Sequence, residues 1–310
     1  MIRRERIDVI HTNNTVLDRT VGQLAALFTK RPVVNSLHSE HESSEAIHKA
    51  GLKALPRRMK RGVGIWLARA TVKHVVPVSG SVKESWWPYL QAMRISPGKV
   101  TVVHPGLAPE RFATLTDEQK RELRRSLGVE GASPLLINVG RLNYGKGQHW
   151  LVPMMKPVVE RHPNAKLILV GDGQDRQVLT DSIRSHGLES VVLMLGQRSD
   201  VTQLLNIADL FVFPSLTEGF PLAVLEAMAA GKGLVAFRLP SFRECVEEGK
   251  SGLLVPLGDA EALTKAVLDV LERPEQIAEM GRVSRETAGR FTQRSTSEKL
   301  EGIYASLMRM

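Results

Sequence analysis

What most limits the fold of this chain is a series of short apolar runs that do not alternate with polar residues. In the second part they are PLLINVG (134–140), AKLILVG (165–171), SVVLMLG (190–196), ADLFVFP (208–214), GLVAF (233–237) and SGLLVP (251–256). Unbroken runs of this kind predict strands buried on both faces. The longer helical stretches between them predict parallel sheets covered by helices, an α/β fold. The first part carries a similar set: IDVIH (7–11), PVVNSLH (32–38), HVVPVS (74–79) and KVTVVH (99–104). A polar, charged stretch at 113–133, with room for a short helix, separates the two sets. The expected boundary is therefore near residue 112, with lobes over 1–112 and 113–310. Amphipathic helices are expected at 260–271, before Pro274, and at 298–308.

Charge divides the chain at the same place. Of its 42 Lys/Arg and 33 Asp/Glu, residues 1–112 hold 18 and 8, and the remainder is nearly balanced. Between Ala46 and Lys83 there are nine basic residues and no acidic one. A one-sided basic lobe suits an anionic partner. Lys49–Arg69 interleaves its charges with Leu52, Leu55, Met59, Ile65 and Trp66. That pattern fits an anionic membrane surface and equally a helix with a solvated basic face. Aromatics make up 5% of the chain and no nucleic-acid module is present, so no nucleic-acid partner is expected. The single cysteine, Cys245, excludes an internal disulfide. No apolar run approaches a membrane span, and the opening MIRRERIDVI has no signal-peptide core. The expectation is a cytoplasmic protein, peripheral on the inner membrane face if the basic stretch binds lipid.

The stretch PSLTEGFPLAVLEAMAAG, 214–231, follows a buried strand and so lies at the C-terminal edge of a parallel sheet, where open α/β sheets bind ligands. Gly219 permits a tight turn, Pro221 suits a first helical turn, and Gly231 can end the helix. The free N–H groups of such a helix start favour an anion. Glu218 and Glu226 bracket that start. A carboxylate there can accept two hydrogen bonds from a sugar diol. The plainer alternative is a capping Glu218 and a solvated Glu226.

In PLLINVGRLNYGKG, 134–147, Gly140, Gly145 and Lys146 match the opening of a P-loop, but Gly147 stands where the magnesium-binding hydroxyl would be. Arg141 and Lys146 remain suited to phosphate, one as a forked donor and one as a point charge. Gly171-Asp172-Gly173 reads as a strand-to-helix turn near a ligand. His38 and His41 have no further ligand set, so no metal and no cofactor is expected.

Together these residues resemble the GT-B glycosyltransferases, specifically glycosyltransferase family 4. Glu218 and Glu226 reproduce that family's E-x7-E motif within GFPLAVLEAMAAG. VGRLNYGKG resembles its donor-phosphate loop, and LILVGDG and ADLFVFPSLTEGFP fit its strand ends. VVHPGLAPERF resembles its interlobe segment, with Pro105-Gly106 where the family has Asn-Gly. The resemblance implies two Rossmann-like lobes and a retaining transferase that moves a sugar from a nucleotide-diphosphate sugar without a metal. It implies that Arg141 and Lys146 hold the diphosphate and that Glu226 accepts the ribose hydroxyls. Glu218 and the backbone of Gly219, Phe220, Pro221 and Leu222 would meet sugar and phosphates. His38 would lie by the reacting carbon, and Arg198 by the base. A lipid-linked or polysaccharide acceptor suits the basic lobe.

Two departures stand out. Family members open with a glycine-rich strand–loop–helix before the equivalent of IDVIH, so the N-terminal lobe is expected to be incomplete, with an open strand edge. Lys232-Gly233 replaces the usual proline and hydrophobic residue, which suggests a more exposed turn. Three functions stay open: a glycosyltransferase, a non-catalytic nucleotide-sugar-binding remnant, and a basic membrane- or polymer-binding protein.

Overall fold

In the computed structural model of the chain, residues 7–13, 16–40 and 65–309 are described, with 16–19 described by backbone alone. His41 and residues 46–64 of the basic stretch lie outside the described residues. Contacts group the chain into two units. The first runs to Gly106 and includes Glu218–Phe220 and everything from Gln293 on; the second is Leu107–Thr217 with Pro221–Thr292.

The first unit contains β1 (Ile10–Thr12), α1 (Val16–Thr29), β2 (Val33–Leu37), a helical segment α2 (65–71), β3 (Val72–Pro77) and α3 (Gly80–Ala92). The strands are parallel in the order β1-β2-β3. The run 99–104 is expected as a fourth strand but forms only a single bridge, Val75 to Val100. Thr101 N donates to Val75 O at 3.1 Å and Val103 N to Pro77 O at 3.0 Å. The return bond between these two, to Thr101 O, would have to come from Pro77, which has no N–H, so the ladder stops after one bridge.

The second unit opens with α4 (Asp117–Ser126), closed by a capping box between Thr116 and Gln119. It continues with β4 (Leu135–Val139), α5 (Gln148–Arg161), β5 (Lys166–Val170), α6 (Arg176–Ser185) and β6 (Val192–Gly196). Then come α7 (Val201–Ile207), β7 (Leu210–Phe213), α8 (Leu222–Ala229), β8 (Gly233–Phe237), β9 (Gly252–Val255), α9 (Ala260–Leu271) and α10 (Pro274–Ala288). All six expected strands form one parallel sheet, ordered β6-β5-β4-β7-β8-β9. Leu136, Leu167, Leu169, Leu210, Val212, Val235 and Phe237 share a core with α5, α6 and α9. The interleaved Ile137, Ile168, Phe211, Phe213 and Leu234 are equally buried. Burial on both faces is what unbroken apolar runs require.

The last helix, α11 (Gln293–Met308), departs from the expected division at residue 112, which assigned it to the second lobe. Its Ile303 and Leu307 are buried with Val34, Val76 and Val103 of the first unit. Burying each of these two side chains is worth roughly 1.5–3 kcal/mol. Tyr304 adds a hydroxyl 2.5 Å from His11 Nδ1, while His11 Nε2 lies 2.7 Å from Ser36 Oγ.

Candidate functional site

The second sheet fixes where a ligand can sit. Its chain order runs outward from β4 through β5 to β6, then returns to β7 beside β4 and runs the other way. The connections therefore diverge between β4 and β7, and a crevice forms there at the strands' C-terminal ends. The two strands pair at only two positions, Leu136 with Leu210 and Ile137 with Phe211. The loops that leave these strands are 140–147 and 214–221, the two stretches singled out from sequence.

The structure stitches those loops together. Leu216 N donates to Gly145 O at 2.8 Å, and Ser215 Oγ donates to the same carbonyl at 3.2 Å. Gly147 has φ +74°, and a Cβ there would lie 1.9 Å from Pro214 O. Only glycine fits that left-handed, backbone-to-backbone approach. Asn143 caps the short turn 144–146, its Oδ1 accepting from Lys146 N at 3.1 Å. Arg141 is exposed, with no ion-pair partner among the described residues. Lys146 is half-buried. The Gly171–Gly173 turn lies against the same loop, with Asp172 O accepting from Leu142 N at 3.0 Å.

On the other flank, Pro221 is the cap residue before α8 rather than its first residue, and Leu222 opens the helix. Gly231 follows its end as expected. Gly231 N donates to Met228 O and Lys232 N to Ala227 O, the paired bonds of a Schellman stop. Glu226 is partly buried on this helix. Burial pushes its carboxyl up, and the charge of Arg111 pulls it partly back. A half-desolvated carboxylate is suited to accept hydrogen bonds from a ligand.

Lys232 corrects an expectation. Its turn is not exposed: Nζ donates to Ala208 O at 2.8 Å and Asn206 O at 3.2 Å, capping the end of α7. Burial brings its amine down to about 8.

Arg198 lies two residues beyond β6 and is held by Asp200 through a fork, Nε to Oδ1 at 2.8 Å and Nη2 to Oδ2 at 2.7 Å. The pair raises the guanidinium and lowers the Asp200 carboxyl. Arg198 thus has a resident carboxylate partner.

The remaining expected residues group in the first unit. His38 follows the last residue of β2, its Nε2 3.3 Å from Asn13 Oδ1, and burial lowers its pKa. Its ring is therefore neutral near pH 7. Gly219 packs directly on it, since a Cβ at Gly219 would lie 1.9 Å from His38 O. Ser79, which caps α3, donates to Gly219 O at 2.6 Å. Phe220 is buried with its ring 5.2 Å from that of His104. Glu218 is half-buried.

Sequence reasoning missed Arg111, Ser79 and Asn13, which have no local motif. It also passed over Asn138 and Gln148, although an asparagine inside LLINV is a visible polar interruption.

A family model described as glycosyl transferases group 1 matches residues 119–287, and one described as glycosyltransferase family 4 matches 1–111. The chain belongs to the family 4-type glycosyltransferases of GT-B fold. The chain is 30% identical to the D-inositol 3-phosphate glycosyltransferase of Saccharomonospora viridis, over 97% of the chain and 70% of the relative. It is 26% identical to an Escherichia coli UDP-Gal:alpha-D-GlcNAc-diphosphoundecaprenol alpha-1,3-galactosyltransferase, over 88% of the chain and 68% of the relative. Among solved structures, Anabaena Alr3699/HepE in complex with UDP superposes with a TM-score of 0.83 at 25% identity, covering 98% of this chain and 80% of that one. The same protein is also known in complex with UDP-glucose. The chain spans about half to four fifths of the length of the relatives it matches.

Proposed function

We propose that this glycosyltransferase moves a sugar from a nucleotide-diphosphate sugar to a lipid-linked or polysaccharide acceptor, with retention at the anomeric carbon. The observation that carries the reading is the switch-point crevice. One flank offers Arg141 and Lys146; the other offers the start of α8 with Glu226. The Anabaena neighbour binds UDP and UDP-glucose, which makes UDP the first base to test. The Escherichia coli relative acts on a diphosphoundecaprenol-linked sugar, which supports the lipid-linked acceptor.

In this reading Arg141, Lys146 and the N–H groups at the start of α8 bind the diphosphate, and Glu226 accepts the ribose hydroxyls. Glu218, His38 and the backbone of Gly219 and Phe220 serve the transferred sugar. Arg198, if it meets the base, does so with Asp200 attached. Breaking the sugar–phosphate bond leaves an oxocarbenium-like sugar and a diphosphate with added negative charge. Fixed cations and oriented N–H groups stabilise that charge as it develops, which is the dominant form of such catalysis. The acceptor attacks the face the leaving group departs from, so no protein nucleophile is assigned. The cations supply the charge that a divalent ion would otherwise supply, so turnover should survive a chelator.

No helix among the described residues is long and apolar enough to cross a membrane. Membrane contact would then use the basic stretch, of which the described part exposes Trp66, Arg69 and Lys73. Cosedimentation with anionic vesicles that weakens with salt supports this contact, and no binding at low salt removes it.

The deciding experiment is calorimetric titration with UDP, GDP and ADP, using Arg141→Ala as control, followed by turnover with sugars of the base that binds. Saturable binding of one nucleotide, weakened about ten- to a hundredfold in the variant, supports the reading. A folded chain that binds none of the three refutes it. Binding without turnover would leave a nucleotide-sugar-binding protein.

A further inference from the structure

Two amides are buried under the crevice where aliphatic side chains would be expected. Asn138, near the end of β4, and Gln148, at the start of α5, are each 1% exposed. An unbonded amide in such surroundings is unfavourable, so their bonds matter. Asn138 Nδ2 donates to Val212 O at 2.8 Å. This bond joins β4 to β7 just past their last paired residues, where the strands part. Gln148 Nε2 donates to Arg141 O at 3.1 Å and lies 3.4 Å from Asn138 Oδ1. Exchanging O and N in the Gln148 amide would set oxygen against oxygen at both contacts, which fixes the amide's orientation. Gln148 Oε1 has no hydrogen-bond partner among the described residues. The side chain thus contributes through its donor, and that donor reaches the backbone of the arginine that begins the loop.

We infer that Gln148 and Asn138 are positioning residues: a relay from β7 through β4 to α5 that holds the Arg141 turn so that its guanidinium is ready for a nucleotide diphosphate. The inference rests on the reading of this crevice as the donor site. Neither amide touches the ligand; both act through Arg141. A chain of bonds that fixes the turn beforehand lowers the ordering required on binding.

The test is a double-mutant cycle on UDP binding by calorimetry. Gln148→Met keeps the length of the side chain, removes the donor and removes the unpaired oxygen, so it should fold; thermal melting checks this. It should weaken UDP binding about tenfold, the scale of one hydrogen bond. In an Arg141→Ala background the same change should have little further effect, because the two residues act as a unit. Gln148→Glu supplies a second readout. Its carboxylate has no proton to give to Arg141 O at about pH 8, but burial favours the protonated acid as pH falls. Its deficit relative to the parent should therefore shrink toward about pH 5.5, while that of Gln148→Met stays constant. Additive losses, or a Glu variant whose deficit ignores pH, overturn the relay. Unaltered UDP binding in Gln148→Met overturns the relay alone. No binding of any nucleotide by the parent chain overturns the donor-site reading and the relay with it.

Discussion

Glu226 is held partly out of water before any ligand arrives. Burial raises its pKa, so the ionised form is disfavoured in the folded chain. The linkage has a definite sign. The stability is complete below the ordinary carboxylate pKa of about 4 and falls as pH rises through the folded value. Glu226→Gln removes the charge and should therefore melt higher than the parent at pH 7, with the gain fading toward about pH 4. The same variant should bind nucleotide diphosphates ten- to a hundredfold more weakly, since a hydrogen bond to a charged group is worth about 1.5–3 kcal/mol. Melting and titration on one sample check both halves. Lys232 gives the opposite lesson. Its amine sits at about 8, below the usual lysine value of 10.5. The stability tied to it is complete above the ordinary value and is lost as pH falls through about 8. The difference in stability between the parent and Lys232→Met should thus move in the parent's favour from about pH 8 to 10.5, by up to about 3 kcal/mol. Chemical denaturation across that range measures it, and a flat difference would exclude the effect.

At the scale of elements, the six strands of the second sheet were readable because each is an apolar run with no alternation, a local signal that survives in the fold. The 99–104 run looked the same, yet Pro77 of β3 has no N–H to give to Thr101 O and no strand formed. The two loops beside the crevice were legible from their glycines, proline and charges. Their attachment to one another was not, because the Gly145 carbonyl and Leu216 N–H are far apart in sequence. Nor was the Lys232 amine's place at the end of α7, since a lysine in a turn carries no sign of carbonyls brought to it from another helix. The attachment can be tested through Gly147. Gly147→Ala places a methyl on the Pro214 carbonyl and asks alanine to adopt a positive φ. It should destabilise by more than about 1 kcal/mol and weaken nucleotide binding together. A variant as stable as the parent would mean that the two loops separate at little expense.

At the scale of the molecule, the two units have unequal sheets: among the described residues three strands pair in the first and six in the second. In the second, the apolar side chains of α5, α6 and α9 join those of the sheet in one continuous core. Among the described residues of the first, Val34, Val76 and Val103 pack with α11, and Leu37, Val82, Trp86 and Leu90 are buried as well. Opening should therefore be easier in the first unit. Native-state hydrogen exchange should find the slowest amides in β4, β5, β7 and β8, the strands inside the larger sheet, and faster exchange in β1–β3; the reverse order would overturn this ranking of the sheets. The C-terminal helix also sets a schedule. A ribosome makes this chain from the amino end, and stretches fold as they emerge. Residues 107–217 and 221–292 are all translated before Ile303 and Leu307 exist to cover the sheet that was made first. The strands of the first unit are thus sealed after those of the second, although they precede them in the chain, and a chain that stopped before Ile303 would leave Val34 and Val76 without that cover.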